Sequence, residues 1–184
     1  ANGGLAAAIT AITFAPLGNL LGVTTVLHLL ELAHPSQPLF RRLLLEAPGT
    51  YHHSVVISSL AERAAEAVGA DALLVRVGAY YHDIGKIVRP YLYIENQVNG
   101  ANIHDTLDPL TSAKAVMSHV TDGLDLGRKH RLPQRVLDMI PQHHGTKLTG
   151  FFYARAREAG ADVDEDDFRY PGPKPQTKEA GILM

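Results

Sequence analysis

The sequence predicts an all-α chain, and three observations carry that prediction. Apolar residues recur at helical spacing in successive segments from Thr50 onward. Helix-opening residues stand at the starts of those segments and glycines near their ends. No run alternates apolar and polar residues as a half-buried strand would. At 184 residues the chain can hold one sizeable domain with a real core, and some extra.

Composition narrows the function classes. Formal net charge is −2 and the pI about 6.6, so no basic field argues for DNA or long RNA as a partner. There is no cysteine, which excludes disulfides and thiolate zinc sites and suits a reducing compartment. Ten histidines are scattered singly and in two pairs, unlike a tag. The chain opens on Ala1 rather than on Met, and is read as a piece of a longer protein.

From Ala1 to Leu30 there is no Asp, Glu, Lys or Arg, and Leu5 to Leu21 is mostly apolar. A spanning helix needs roughly 20 apolar residues, and Pro16, Gly18, Asn19 and Gly22 dilute this run. A buried helix and the last membrane segment of a polytopic protein both stay open. A signal peptide would want a basic start, which is absent. With the family resemblance given below, residues 1–34 are expected to be the end of a membrane region or a juxtamembrane helix, residues 35–49 a connector, and residues 50–184 the functional domain. His34-Pro35-Ser36-Gln37-Pro38 cannot continue a helix. Arg41 and Arg42 beyond it would sit at a cytoplasmic membrane face.

Pro48-Gly49 breaks the chain, and Thr50 is expected to cap the next helix. There His53, Ile57, Leu60 and Ala64 form one apolar stripe, while His52, Val56, Ser59, Arg63 and Glu66 follow a more polar track. The spacing points His53 inward and His52 towards the rim. Gly69 ends this helix and Asp71 caps the following one. In it Leu74, Val77 and Tyr81 share a side, Gly78 and Ala79 admit a neighbouring helix, and Gly85 is expected to supply the stop. The stretch Val88 to Thr106, with Tyr91, Tyr93, Asn96 and Asn102, reads as a long loop of the kind that often serves a site.

Asp108-Pro109 opens a helix in which Ser112, Ala115, Val116 and His119 share a face. Leu132-Pro133 opens another, with Val136, Leu137, Ile140, His143 and His144 on one stripe. Pro141 should kink it, and Gly145 should end it. Phe151 to Ala159 reads as a short amphipathic helix, and Asp162 to Asp167 as a solvated acidic loop. Tyr170-Pro171-Gly172-Pro173-Lys174-Pro175 reads as an extended connector, after which Thr177 to Met184 starts a last apolar helix.

The organising stretch is Tyr80-Tyr81-His82-Asp83-Ile84-Gly85-Lys86. A lone buried histidine is usually a packed one, bonded to backbone. Here four separate helices each bring a histidine near one end: His53, His82, His119 and the pair His143-His144. Imidazoles and carboxylates on facing helices are how bundles build metal sites. Asp83, next to His82, could bridge two ions with one oxygen to each. Nitrogen and oxygen ligands without sulfur select Mn, Fe, Co or Zn rather than Ca. Two such ions about 3.5–4 Å apart lower the pKa of a bridging water and clamp a displacement at phosphorus. Lys86 could hold a phosphoryl oxygen, or simply stabilise a helix C-terminus; Arg89 is a weaker candidate for the same contact.

The order His53, His82-Asp83, His119, His143-His144 resembles the HD-domain metal phosphohydrolases. Longer stretches sharpen the resemblance to the seven-transmembrane HD branch: Leu44-Leu45-Glu46-Ala47-Pro48-Gly49-Thr50-Tyr51-His52-His53-Ser54, Val77 through Lys86, Ile94-Glu95-Asn96-Gln97, Gln142-His143-His144-Gly145-Thr146, and the Tyr170 to Pro175 connector. The resemblance implies an HD-domain helical bundle with an N-terminal apolar, membrane-proximal segment. It further implies a bacterial inner-membrane enzyme, catalytic domain in the cytoplasm, that hydrolyses cyclic di-AMP to linear pApA with two iron or manganese ions.

Position by position, the resemblance implies His53, His82 and Asp83 on one ion, with Asp83 bridging to a second held by His119, His143 and His144. Asp83 and Lys86 would be catalytic, and Lys86, Arg89 and Asn96 would meet substrate. His52 is left out of the ligand set. The family's last metal-binding Asp is expected just past Met184, so one ion would be short a ligand here. Other reactions of the same fold (a nucleotidase, a guanosine tetraphosphate hydrolase) and a degenerate module that only binds a ligand remain alternatives.

Overall fold

The computed structural model describes residues 3–4, 24–97, 102–160 and 162–184. The apolar run from Leu5 to Leu21, on which the membrane reading rests, lies outside them. Among the described residues no helix is long and apolar enough to cross a membrane.

Ten α-helices carry the fold among these residues: α1 (Val26–Leu32), α2 (Pro38–Glu46), α3 (Pro48–Val68), α4 (Ala72–Tyr81), α5 (Pro109–Met117), α6 (His119–Lys129), α7 (Gln134–Leu137), α8 (Met139–Gln142), α9 (Gly150–Glu158) and α10 (Lys178–Leu183). The described residues contain no strand, only an isolated antiparallel bridge between Leu148 and Arg169. The all-α expectation holds.

Helix α4 is the central post. Residues 74, 75 and 77–81 are all buried, so burial runs around most of the helix rather than along one stripe, with Arg76 reaching the surface. Asp71 caps it by accepting from the Leu74 amide at 3.0 Å, and Gly69 ends α3 in the left-handed conformation at φ 66°. Gly78 lets α8 come in close, because a Cβ there would collide with the Met139 sulfur. The expected connector 35–49 contains helix α2, whose Leu39, Phe40 and Leu43 are buried in the same core. Phe40 packs its ring against Tyr51 and Tyr80 at 4.8 and 4.7 Å.

Helix α3 departs from its expected face. The buried side carries Thr50, Ser54, Ser58, Ala61 and Ala65, whereas Leu60 is 60% exposed. Small residues let α3 and α4 approach closely, and that approach outweighs the apolar stripe. Nor does Thr50 cap the helix: α3 starts two residues earlier with Pro48 in its first turn. Thr50 instead lies inside that first turn, where its orphan backbone N–H donates to Asn96 Oδ1 at 3.2 Å.

Three further expectations resolve in detail. Gly85 does not stop α4; it sits within a 3₁₀ turn, Ile84–Val88, where a Cβ would collide with the backbone of His119. Its smallness serves close approach, not left-handed geometry. Pro141 cannot donate to the Leu137 carbonyl, and the helix is broken there into α7 and α8 at Asp138. The stretch 88–106 is not featureless: 3₁₀ turns occupy Pro90–Leu92, Ile94–Asn96 and Ile103–Asp105.

Candidate metal centre

Asp83 follows directly on the C-terminus of α4 and is buried beneath four converging elements. His82 ends α4, His119 begins α6, and His143 and His144 follow α8. His53 reaches in from the first turns of α3. These six residues form two groups that share Asp83: His53, His82 and Asp83, and Asp83, His119, His143 and His144. Within each group the potential ligand atoms lie within 4.8 Å of one another. His52 belongs to neither; its ring lies beside Tyr51.

The carboxylate divides its two oxygens between the groups. Oδ2 lies 3.1 Å from His82 Nε2 and 3.9 Å from His53 Nε2. Oδ1 lies 3.4 Å from His119 Nε2 and 3.6 Å from His143 Nε2. The side chains differ in access: His53 is 46% exposed, His119 only 1%.

Ring orientation is set by the backbone. His82, His119 and His143 each direct Nδ1 at the carbonyl three residues earlier, at 2.7, 2.7 and 2.6 Å. A carbonyl can only accept, so Nδ1 carries a proton in each ring, and where the ring is neutral its Nε2 presents a lone pair. His119 Nε2 and His143 Nε2 then face each other at 3.4 Å with no proton between them. Asp83 Oδ1 is buried and has no hydrogen-bond partner among the described residues.

Burial, the largest influence, pushes the titration of His119 down to about 4 and of His144 down to about 2, and lowers His143 and His53 as well. Burial alone would raise the Asp83 carboxyl, but its surroundings, the Lys86 ammonium among them, hold it well below the usual range. Near neutrality the cluster is thus several bare imidazole nitrogens around an ionised carboxylate. Converging buried acceptors without donors are costly, ~1–3 kcal/mol each. A divalent cation satisfies them together, and the donor set fits one.

Lys86 is committed on two sides, to Asp83 Oδ2 at 2.9 Å and to Glu95 Oε1 at 2.8 Å. Burial disfavours its charge, but Asp83 and Glu95 outweigh that and raise its titration point. Glu95, missed as a site residue in the sequence, also accepts from Thr50 Oγ1 at 3.1 Å and so ties Lys86 to the start of α3. Asn96, expected to touch substrate, is spent on α3: its Nδ2 donates to Thr50 Oγ1 at 2.8 Å. Arg89 is likewise engaged, donating to Ser118 Oγ at 2.7 Å and pairing with Asp122. In this structure polar groups of both residues hold the fold around the site.

A cavity of about 340 Å³ opens beside the cluster, walled by Lys86, Tyr93, His119, His144, Phe152 and Tyr170 among others. Tyr170, also missed as a site residue, stacks on His144 with centroids 4.0 Å apart. Only the quoted Ile94–Gln97 and Tyr170–Pro175 stretches hinted at Glu95 and Tyr170.

Comparison with known proteins agrees with this geometry. Cyclic-di-AMP phosphodiesterase PgpH of Bacillus subtilis (strain 168) is 53% identical over 162 residues, covering 88% of this chain and 23% of that protein. The protein of the same name from Listeria monocytogenes serotype 1/2a (strain 10403S) is 47% identical over 182 residues, covering 98% of this chain and 25% of that one. The chain therefore spans about a quarter of the length of these curated relatives. The crystal structure of the L. monocytogenes PgpH HD domain in complex with cyclic-di-AMP superposes with a TM-score of 0.79 at 49% identity, covering 82% of this chain and 70% of that one. The family model described as HD domain matches residues 50–184. A histidine–aspartate cluster of this form, that match and that superposition together place the chain in the HD-domain family.

Proposed function

We propose that this chain carries the catalytic centre of a metal-dependent phosphodiesterase that hydrolyses cyclic di-AMP to linear pApA. The observation that carries the reading is Asp83, which offers one carboxylate oxygen to each of two histidine groups beside a cavity. The substrate assignment draws on the 49% identity to a domain crystallised with cyclic-di-AMP.

His53, His82 and Asp83 would hold one divalent ion, and Asp83, His119, His143 and His144 a second. Iron and manganese suit this nitrogen and oxygen set. Bound there, such a pair supplies Lewis acidity to phosphoryl oxygens and lowers the pKa of the attacking water. The chain's own groups do the positioning. An ammonium has three donors, and two of those of Lys86 are taken. The third is available to a phosphoryl oxygen, in keeping with the place of Lys86 on the cavity wall. Tyr93, Phe152 and Tyr170 give that wall aromatic surface against which a base can stack. Water oxygen bonds to phosphorus, the bond to the 3′ oxygen breaks, and that oxygen leaves as a hydroxyl once protonated. The apolar run at the N-terminus supports a place at the bacterial inner membrane, with this domain on the cytoplasmic side.

Assay of the manganese-loaded protein against cyclic di-AMP, cyclic di-GMP, guanosine tetraphosphate and nucleoside monophosphates tests the reading. Conversion of cyclic di-AMP to pApA is expected. Turnover of another nucleotide with none of cyclic di-AMP would overturn it.

A further inference from the structure

We infer that Tyr170 is a positioning residue for His144, doing by ring stacking what backbone carbonyls do for the other interior histidines. His82, His119 and His143 are each fixed by a bond from Nδ1 to the carbonyl three residues earlier. Among the described residues His144 makes no such bond. Its ring is instead covered by Tyr170, with centroids 4.0 Å apart and planes 16° from parallel. The other ring contacts of His144, with His119 and His143, are tilted or edge-on at 77° and 44°. Among the described residues only the tyrosine lies flat on it.

Tyr170 is held in place by its backbone. The Tyr170 amide donates to the Lys147 carbonyl at 3.0 Å, and the Thr149 amide to the Phe168 carbonyl at 2.8 Å. Thr149 Oγ1 donates to that same carbonyl at 2.8 Å, and Arg169 Nη1 donates to the Thr146 carbonyl at 3.1 Å. The segment 168–170 is thereby registered against 146–149, the chain that leaves His144. Phe168, fully buried with Ala113 and Ala156, anchors it from below. The stacking distance is fixed by this clamp and needs no bond from the phenol oxygen, so the aromatic face is what matters.

Groups that orient a ligand ring typically change metal affinity about 10–100-fold when removed. The proposal rests on the reading of His144 as a metal ligand, so the test reads metal binding and not turnover. Titrate the protein with Co²⁺ by calorimetry and by its visible absorption, comparing wild type, Tyr170→Phe, Tyr170→Leu, His144→Ala and the Tyr170→Leu/His144→Ala double variant. Tyr170→Phe should bind Co²⁺ as wild type does. Tyr170→Leu should weaken binding about tenfold or more and alter the visible bands. In the double variant the tyrosine change should add little to the loss from His144→Ala alone. Equal losses from Tyr170→Leu with and without His144, or wild-type binding by Tyr170→Leu, would overturn the proposal. His144→Ala without effect would overturn the ligand assignment beneath it. Thermal unfolding of each variant separates these results from misfolding, and Phe168→Leu, which loosens the clamp while leaving both rings in place, should reproduce a part of the Tyr170→Leu loss.

Discussion

The two halves of the cluster are built from the same residue types and held in different ways. The inner half, Asp83 Oδ1 with His119, His143 and His144, is the more deeply buried, with His119 and His143 tied to carbonyls three residues earlier. The outer half, Asp83 Oδ2 with His53 and His82, opens to solvent through His53. Its alignment depends on distant contacts: Lys86 joins Asp83 to Glu95, and Glu95 and Asn96 join Thr50 at the start of the helix that carries His53. His82, His119 and His143 are held locally, by carbonyls three residues earlier, whereas His53 is placed by a network of long-range polar contacts. The cavity proposed to take the substrate borders the inner half through His119 and His144, whereas the outer half meets solvent through His53.

The largest effect should follow from removing the one residue the halves share. Asp83→Ala is expected to lower turnover of cyclic di-AMP by about a thousandfold or more, since several kcal/mol of charge stabilisation go with it. Steady-state rates with excess manganese check this, and a loss under tenfold would mean the halves function separately.

Acid should act mainly on the inner half of the metal-free protein. Its histidines titrate near 6.5 in the unfolded chain, but burial holds His119 to about 4 and lowers His143 and His144. Between those values the unfolded chain binds protons that the folded one refuses. Stability is therefore greatest above about pH 6.5 and falls as the pH drops towards 4. Urea titrations at a series of pH values measure it, and a flat profile between pH 7 and 5 would contradict the burial of neutral rings. Added manganese should steepen the dependence, because ligand protons compete with the ion.

The smallest effect belongs to the outer network. Glu95→Gln keeps the shape but removes a partly exposed charge opposite Lys86. Pairs of this kind contribute roughly 0.2–1 kcal/mol, so a loss of about two- to fivefold in kcat/KM is expected, with His119-side metal binding unchanged. A change on the inner side would show that the halves are not separately held.

The difference between the halves also explains what was legible in the sequence. His82-Asp83 sits at a helix end next to Gly85, and His119 and His143-His144 follow recognisable helix openings, so helical spacing and the family resemblance placed them. Helix ends and caps at Gly69, Asp71 and Asp108 were equally readable, because each is decided within a few residues. The buried face of α3 was not. Its small residues are selected by the close approach of α4, and periodicity of apolar residues gave the wrong stripe. The tie of Thr50 to Asn96 and Glu95 was not readable for a related reason: the partners are 45 or 46 residues apart in sequence. The clamp that sets Tyr170 on His144 is likewise long-range, and nothing local announces it.

The bridge itself can be measured most directly by manganese-binding isotherms of the wild type and of His53→Ala, His119→Ala and Asp83→Ala, each verified as folded. If Asp83 joins two metal positions, each histidine variant should weaken one binding event, and Asp83→Ala should weaken both together. An Asp83→Ala isotherm indistinguishable from that of either histidine variant would contradict the bridge.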